Sequence, residues 1–276
     1  MTDNADQAEF WAQATSWVDH QAAMDAVLAP VLQGVLDRAD LQRGWDVIDV
    51  GCGTGASVLA AADAVGPAGT VTGLDISPAL LNLARERLKG RSTTALIEGD
   101  AQNYGFAPGS ADALISRFGV MFFADTTAAF ANMARALRPG AAMTVAAWGP
   151  APENPWFMLP AKIARARLGE TPKVDRTLPG PFAFEDADRT SAMLQGAGLA
   201  VRIDTAPVTL NGGPSPEAAA ALCTRIGPAA SVLRQLDGTE ADRQAIAADL
   251  AAAFAPWLDD HVQIPALIHF ITARKR

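Results

Sequence analysis

Three glycines and one aspartate carry the strongest chemical signal in the sequence. Gly51, Gly53 and Gly55 follow a short apolar segment and precede an alanine-rich one. Glycines between a strand and a helix let the backbone approach a ligand, and amides at the helix start can bind a polar ligand group. Asp49 stands two residues before the first glycine, where its carboxylate can accept hydrogen bonds from the loop or from a ligand ammonium group. This segment predicts a ligand-binding loop.

Two further aspartates follow at later strand ends. Asp75 comes twenty residues after Gly55, at a position where a carboxylate can accept both hydroxyls of an adenosine ribose. Asp100 and Ala101 follow the next predicted strand, where a carboxylate can accept the exocyclic amine of an adenine. We expect the three carboxylates to form one row along the carboxyl edge of a sheet.

The glycine loop by itself is compatible with two classes of cofactor. Gly51, Gly53 and Ala56 also fit the G-x-G-x-x-A fingerprint of dinucleotide-binding proteins. A nicotinamide-dependent oxidoreductase is therefore an alternative. Asp49 disfavours it, because the strand of a dehydrogenase is usually apolar at that position.

The elements that position these residues follow from hydrophobic periodicity. Helical spacing extends from Ala8 to about Ala39, where Pro30 is expected to separate or kink two helices. Strands are predicted at 45–50, 70–74, 94–98, 111–116, 142–148, 200–210 and 263–273. Helices are predicted at 56–64, 78–88, 126–137, 156–168 and 186–197, with a turn at 138–140 and a helical stretch at 216–257. Ser77 is expected to cap the second of these helices. This alternation predicts an α/β fold with a Rossmann-like, seven-stranded, mostly parallel sheet and helices on both faces.

The chain divides into four predicted segments. They are an N-terminal helical cap at 1–40, a cofactor-binding core at 41–149, an insertion at 150–184, and the rest of the sheet at 185–276 with a helical insertion at about 211–261. If strands one to six are parallel, both insertions leave from the carboxyl edge, where ligands bind in open α/β sheets. We expect them to pack with the N-terminal helices as a lid over a mostly apolar pocket.

Composition excludes several classes of partner. The formal net charge of −8 disfavours nucleic acid, which is bound largely through clustered Lys and Arg. No apolar run approaches the roughly 20 residues of a membrane helix, and the acidic start lacks the pattern of a signal peptide, so we expect a cytoplasmic protein without membrane insertion. Two cysteines and three scattered histidines predict no metal site. The oligomeric state is not predicted.

The sequence resembles the class I S-adenosylmethionine-dependent methyltransferases, in the broad group that includes the ubiquinone and menaquinone biosynthesis methyltransferases. The resemblance covers 47–148 and rests on VIDVGCGTG at 47–55, GLDIS at 73–77, EGDA at 98–101 and LRPG at 137–140. A bacterial subset is similar also in the pair Trp11 and Trp17, in SRFGVMFF at 116–123 and in NPW at 154–156. One departure is Gly140-Ala141, where a glycine pair is usual.

The resemblance implies binding of S-adenosylmethionine, with S-adenosylhomocysteine as product, and transfer of the methyl group to a small molecule. Because the sulfonium is already activated, we expect an in-line displacement, and the apolar residues of the expected lid favour a hydrophobic acceptor. A protein that binds S-adenosylmethionine without methyl transfer is an alternative. The residues expected at the cofactor are Trp17, Asp49, Gly51, Cys52, Gly53, Gly55, Asp75, Ile76, Asp100, Ala101, Ser116 and Arg117. Those expected in the acceptor pocket are Trp11, Phe118, Phe122 and Trp156. No catalytic residue is identified, and His20, Arg117 and His261 are the candidates.

Overall fold

The computed structural model describes residues 4–12 and 15–275. Its strands are β1 (Asp46–Val50), β2 (Thr70–Asp75), β3 (Thr94–Glu98), β4 (Ala111–Arg117), β5 (Leu137–Trp148), β6 (Leu199–Asn211) and β7 (Gln263–Lys275). They form one seven-stranded sheet in the order β3-β2-β1-β4-β5-β7-β6. β7 runs antiparallel to both of its neighbours, so the first six strands share one direction. The predicted seven-stranded, mostly parallel sheet is confirmed.

The helices follow the predicted alternation closely. They are α1 (Ala5–Ala12), α2 (Thr15–Asp19), α3 (Gln21–Ala39), α4 (Ala56–Val65), α5 (Pro78–Arg87), α6 (Thr126–Ala136), α7 (Pro155–Leu168), α8 (Ala187–Gly196), α9 (Pro216–Cys223), α10 (Pro228–Gln235) and α11 (Glu240–Phe254). Short 3-10 turns occupy Val120–Phe122, Ala151–Glu153 and Ala255–Trp257. Residues 1–3, 13, 14 and 276 of the predicted terminal segments lie outside the described residues.

Helices cover both faces of the sheet. Phe270 of β7 lies beneath α3, with the Arg38 guanidinium 3.9 Å above its ring. The neighbouring His269 is buried on the opposite face, where its Nε2 lies 3.1 Å from the carbonyl oxygen of Glu185, just before α8. Successive side chains of a strand point to opposite faces, so α3 and the start of α8 lie on opposite sides.

Two predicted boundaries are wrong. Pro30 does not separate two helices, because α3 continues through it: the buried stripe of Val27, Val31 and Val35 packs along its length and outweighs the missing amide hydrogen bond. The alternative that Pro30 kinks the helix stays a prediction. β5 begins at Leu137 rather than at 142, so the predicted turn at 138–140 lies inside the strand. There the pairing with β4 is irregular, and Gly140 has a φ of 83°.

In 4–12 and 15–275, no helix is long and apolar enough to cross a membrane. The same residues contain no group of three or more His, Cys, Asp or Glu side chains placed to hold a metal ion.

Candidate functional site

The glycine loop between β1 and α4 packs tightly against a neighbouring loop at Gly51 and faces open space at Gly53. Gly51, Gly53 and Gly55 all have positive φ values, of 67°, 54° and 85°, which glycine adopts without steric cost. A Cβ added to Gly51 would lie 2.5 Å from the Cα of Gly119, in the loop after β4. A Cβ added to Gly53 would meet no described atom within 4 Å. A ligand can therefore approach the backbone at Gly53.

Asp75, the last residue of β2, fastens this loop from the neighbouring strand. Its Oδ2 accepts a hydrogen bond of 2.7 Å from the Gly53 amide, and its Oδ1 accepts one of 2.8 Å from the Ser77 amide. Burial raises the pKa of Asp75, while hydrogen bonds from Ser77 and Gly53 act in the opposite direction. Each carboxylate oxygen can accept a further hydrogen bond, so this geometry fits the predicted ribose contact, which stays a prediction.

Asp49 in β1 is completely buried and only half satisfied. The Ser57 hydroxyl donates to its Oδ2, but its Oδ1 has no hydrogen-bond partner among the described residues. Burial raises the pKa of Asp49 to about 7, while the Ser57 hydrogen bond and the charge of Arg117 lower it. Burying a carboxylate oxygen without a hydrogen bond costs free energy, so a ligand that donates a hydrogen bond to this atom would be stabilised.

Arg117 ends β4, the strand on the other side of β1. Its Nη2 lies 3.5 Å from Oδ1 of Asp25 in α3, whereas its Nη1 is buried without a hydrogen-bond partner in the part of the chain that the structure describes. Burial lowers the pKa of Arg117, and the charges of Asp25 and Asp49 raise it. Asp25 was not predicted from the sequence, because a polar residue on an amphipathic helix carries no sign of a contact with a distant strand.

Asp100, beyond β3, is already enclosed by polar groups. Its Oδ1 accepts hydrogen bonds of 2.9 Å from the Asn4 side-chain amide and from the Gln102 backbone amide. The Asn103 side-chain amide donates to Oδ2 at 3.0 Å. Asn4, which the sequence did not indicate, also accepts a hydrogen bond of 2.7 Å from the Ala124 amide. The N-terminal segment therefore reaches the strand end where an adenine is expected, and Ala101 beside it is buried.

The side chains of two predicted cofactor residues are engaged inside the protein. The Ser116 hydroxyl donates to the Val50 carbonyl at 2.6 Å and accepts from the Gly119 amide at 3.1 Å. Cys52 is buried, and a Cβ added to Gly73 would lie 2.8 Å from its sulfur. Burial raises the pKa of the Cys52 thiol well above its usual value. The Cys52 backbone is engaged as well, because its amide donates to the Leu74 carbonyl at 3.2 Å and its carbonyl accepts from the Gly55 amide at 2.9 Å.

The predicted pocket residues fall into three groups. Phe118 stacks on Trp148 with ring centroids 4.3 Å apart, and the row continues through Phe157 and Phe182 at centroid distances of 4.9 and 5.1 Å. We call these four side chains the aromatic row. Phe157 and Phe182 were not predicted, because no local pattern in the sequence indicates which rings of the insertion face Trp148.

The second group is N-terminal, and the third is one residue of the core. The Trp11 ring lies edge-on to Phe122 at 5.3 Å and tilted against Trp17 at 6.1 Å, and the Ser77 hydroxyl donates to the Trp11 carbonyl at 2.7 Å. Trp156 is buried in the hydrophobic core. Ile76, half-buried, follows Asp75 directly.

The two histidine candidates differ from Arg117 in position. His20 lies directly before α3, and its side chain makes no capping hydrogen bond. His261 precedes β7, which is three strand spacings from β1, or about 14 Å. Arg117, in contrast, ends a strand that pairs directly with β1, and a catalytic role stays a prediction for each of the three candidates.

A family model described as a methyltransferase domain matches residues 47–140. Nocamycin O-methyltransferase from Saccharothrix syringae is 34% identical over 137 residues, which cover 49% of this chain and 49% of that protein. Demethylmenaquinone methyltransferase from Staphylococcus aureus is 35% identical over 106 residues, covering 38% and 44%. The chain thus spans about half the length of the curated relatives it matches.

Solved structures share the fold. Phosphoethanolamine N-methyltransferase 2 from Haemonchus contortus, in complex with S-adenosyl-L-methionine, superposes with a TM-score of 0.53 at 16% identity, covering 89% of this chain and 52% of that one. The matched domain contains the glycine loop, Asp75 and Asp100, and favours the methyltransferase interpretation over the dinucleotide-binding one. Residues 47–140 thus match a methyltransferase domain, and the sheet that contains them has the fold of a solved methyltransferase that binds S-adenosyl-L-methionine.

Proposed function

We propose that the protein transfers the methyl group of S-adenosylmethionine to a small, hydrophobic acceptor. The main support for this proposal is that the aromatic row begins next to the glycine loop. Phe118 precedes Gly119, whose Cα is the atom that a Cβ on Gly51 would meet at 2.5 Å. An apolar surface therefore adjoins the cofactor loop. Phe118 is held there with a φ of 65°, a conformation that a bulky residue rarely adopts.

The residues at the sheet edge fit the expected cofactor. Asp75 would bind the ribose, and Asp100 with Ala101 the adenine, while Asp49 and Arg117 supply the two unpartnered buried atoms near the amino-acid end. Trp17 and Ile76 would flank the nucleoside. A bound S-adenosylmethionine supplies a methyl group already activated on a sulfonium. The task left to the protein is to align the acceptor and to exclude water, which can lower a barrier by several kcal/mol.

We also propose that the two insertions and the N-terminal helices form the lid of the acceptor pocket. β5 pairs with β7 only as far as Trp148 and Ile268, whereas β6 and β7 continue pairing to Asn211 and Gln263. This two-stranded ribbon extends past β5 by five residues, or about 17 Å, on the carboxyl side of the sheet. It carries α9 to α11, of which α10 and α11 pack against α7.

The chemistry of this enclosure favours an apolar acceptor. The aromatic row carries no charge, and aromatic faces attract flat apolar molecules as well as cations. The printed names of the two curated relatives, an O-methyltransferase of nocamycin and a methyltransferase of demethylmenaquinone, fit a small-molecule acceptor. The net charge of −8 disfavours nucleic acid, and we keep a cytoplasmic location as part of this proposal.

The test is a partition experiment with methyl-labelled S-adenosylmethionine. The protein is incubated with a metabolite extract divided into organic-soluble and aqueous fractions, with Asp75→Ala as the matched control. We expect labelled product from the organic-soluble fraction, with S-adenosylhomocysteine formed in equal amount, and neither product with the variant. Label that enters only water-soluble products would refute the hydrophobic acceptor. Binding of S-adenosylhomocysteine without product from either fraction would indicate a protein that binds the cofactor without transfer.

A further inference from the structure

Two buried side chains of opposite charge lie near each other without neutralising each other. Asp49 of β1 is in register with Ile115 of β4, and Arg117 follows two residues later, toward the carboxyl edge. Oδ1 of Asp49 and Nη1 of Arg117 are both buried, and neither finds a hydrogen-bond partner among residues 4–12 and 15–275. Unpaired charged atoms in the interior are costly, so their persistence indicates a missing ligand group or something that keeps them apart.

Asp25 on α3 provides a reason for their separation. Its Oδ1 lies 3.5 Å from Nη2 of Arg117, and its Oδ2 accepts a hydrogen bond of 2.8 Å from Nη2 of Arg87. Gln21 also donates to Oδ2. The side chains of Asp25, Arg87 and Arg117 are only 20%, 22% and 14% exposed. Asp25 therefore competes with Asp49 for Arg117 in a partly desolvated place, where such charges interact strongly.

The same aspartate is linked to the glycine loop. Arg87 of α5 donates through Nη1 to the carbonyl oxygen of Thr54 at 2.7 Å and lies 3.1 Å from its hydroxyl. Thr54 stands between Gly53 and Gly55. Asp25 thus connects α3, α5, the end of β4 and the loop in one network of charge-assisted hydrogen bonds and ion pairs.

We propose that Asp25 is a positioning residue that turns Arg117 so that its free Nη1 binds the α-carboxylate of the cofactor's amino-acid end, beside Asp49. One side of the guanidinium is engaged by Asp25, and the other stays available. Without Asp25, Arg117 would be free to pair directly with Asp49, and both unpartnered atoms would be lost to a ligand. A zwitterionic amino-acid group satisfies both, because it offers a carboxylate to Arg117 and an ammonium to Asp49. This inference rests on the proposed function.

Calorimetric titration with three adenosyl ligands tests the proposal. S-adenosylhomocysteine carries the whole amino-acid group, decarboxylated S-adenosylhomocysteine lacks only the carboxylate, and 5′-methylthioadenosine lacks both charged groups. We expect the wild-type protein to bind the first at least about tenfold more tightly than the other two, as for loss of a charge-assisted hydrogen bond. Asp25→Asn should weaken S-adenosylhomocysteine about tenfold and leave 5′-methylthioadenosine within twofold. Asp25→Glu should restore part of the loss, and Asp37→Asn on the exposed side of α3 should change nothing.

The ligand series separates the possible failures. Equal losses for all three ligands in Asp25→Asn would assign Asp25 a purely structural role and overturn the proposal. Equal affinities of the wild-type protein for S-adenosylhomocysteine and 5′-methylthioadenosine would also overturn it. The amino-acid group would then contribute nothing to binding, and a water molecule would suffice as the partner of Arg117. This comparison needs no variant to fold. If none of the three ligands binds, the proposed function itself is contradicted.

Discussion

The proposed cofactor edge, at the carboxyl ends of β1 to β4, and the proposed acceptor side are built by different interactions. At the cofactor edge, carboxylates bind backbone amides of nearby loops, as Asp75 binds Gly53 and Ser77. On the proposed acceptor side, the aromatic row joins side chains from the loop after β4, from β5, from α7 and from the part of the insertion that follows α7. The first arrangement is specified by a short motif. The second depends on packing between distant segments, so it can vary while the cofactor edge stays the same.

The largest effect should come from the contact that joins the two regions. Gly51→Ala adds a Cβ 2.5 Å from Gly119, in addition to the strain of a φ of 67°. We expect it to lower the free energy of unfolding by about 3 kcal/mol and to abolish binding of S-adenosylhomocysteine. Gly109→Ala is the control, because its φ is 63° and an added Cβ meets no described atom within 4 Å, so about 1 kcal/mol should be lost. Denaturant titration of both variants decides, and equal losses would show that the contact is unimportant.

The next effect should separate the two regions. Phe157→Leu removes a ring from the aromatic row, and we expect the KM for the acceptor in the organic-soluble fraction to rise about tenfold. Affinity for S-adenosylhomocysteine should stay within twofold. Phe130→Leu, in the core away from the row, should lower stability and leave both constants unchanged. If Phe157→Leu instead weakens the cofactor, the division into two regions fails.

A smaller effect concerns protonation at the cofactor edge. Burial raises the pKa of Asp49 to about 7, among Ser57, Arg117 and Asp75. Because the folded-state pKa is higher than the unfolded one, ionisation of Asp49 opposes folding, and its contribution to stability falls as the pH rises from about 4 to about 7. A ligand ammonium favours the ionised form. Affinity for S-adenosylhomocysteine should therefore increase with pH up to about 7 and then level off. Below pH 7 the increase should be up to about tenfold per pH unit.

The control for this pH dependence is 5′-methylthioadenosine, which has no ammonium group. Its affinity should change little between pH 6 and 8, and Asp49→Asn should remove the dependence for S-adenosylhomocysteine. The same variant should stabilise the free protein more at pH 8 than at pH 5. A pH profile that is identical for the two ligands would show that Asp49 does not contact the amino-acid end.

The smallest effect tests the N-terminal segment. Asn4→Ala removes the acceptor of the Ala124 amide and a donor to Asp100, and we expect a loss of about 1 kcal/mol in local stability. Hydrogen exchange of the Ala124 amide should accelerate about fivefold. The neighbouring Asp125 amide, which is bound by the Gln102 side chain, serves as the internal reference. Unchanged protection of the Ala124 amide would mean that the hydrogen bond to Asn4 does not stabilise this segment.

The sequence predicted the elements that hold the glycine loop better than the contacts of the aromatic row, for a physical reason. The order of strands and helices, the cap formed by Ser77 at α5 and the turn at Gly51 depend on local patterns. Asp25 lies 62 residues from Arg87 and 92 from Arg117, so no local pattern predicts their contacts. Likewise Phe182 meets Phe157 only after the insertion folds back. Tertiary packing also decided the two wrong boundaries, at Pro30 and at the start of β5.

We propose that cofactor bound at the glycine loop delivers its methyl group to an apolar acceptor, and a pulse-chase measurement tests this transfer most directly. Protein loaded with methyl-labelled S-adenosylmethionine is freed of excess label and mixed with the organic-soluble fraction and an excess of unlabelled cofactor. We expect the bound label to enter an organic-soluble product faster than it exchanges, and Asp75→Ala to retain no label to transfer. Release of the label as unchanged S-adenosylmethionine, with no labelled product, would contradict it.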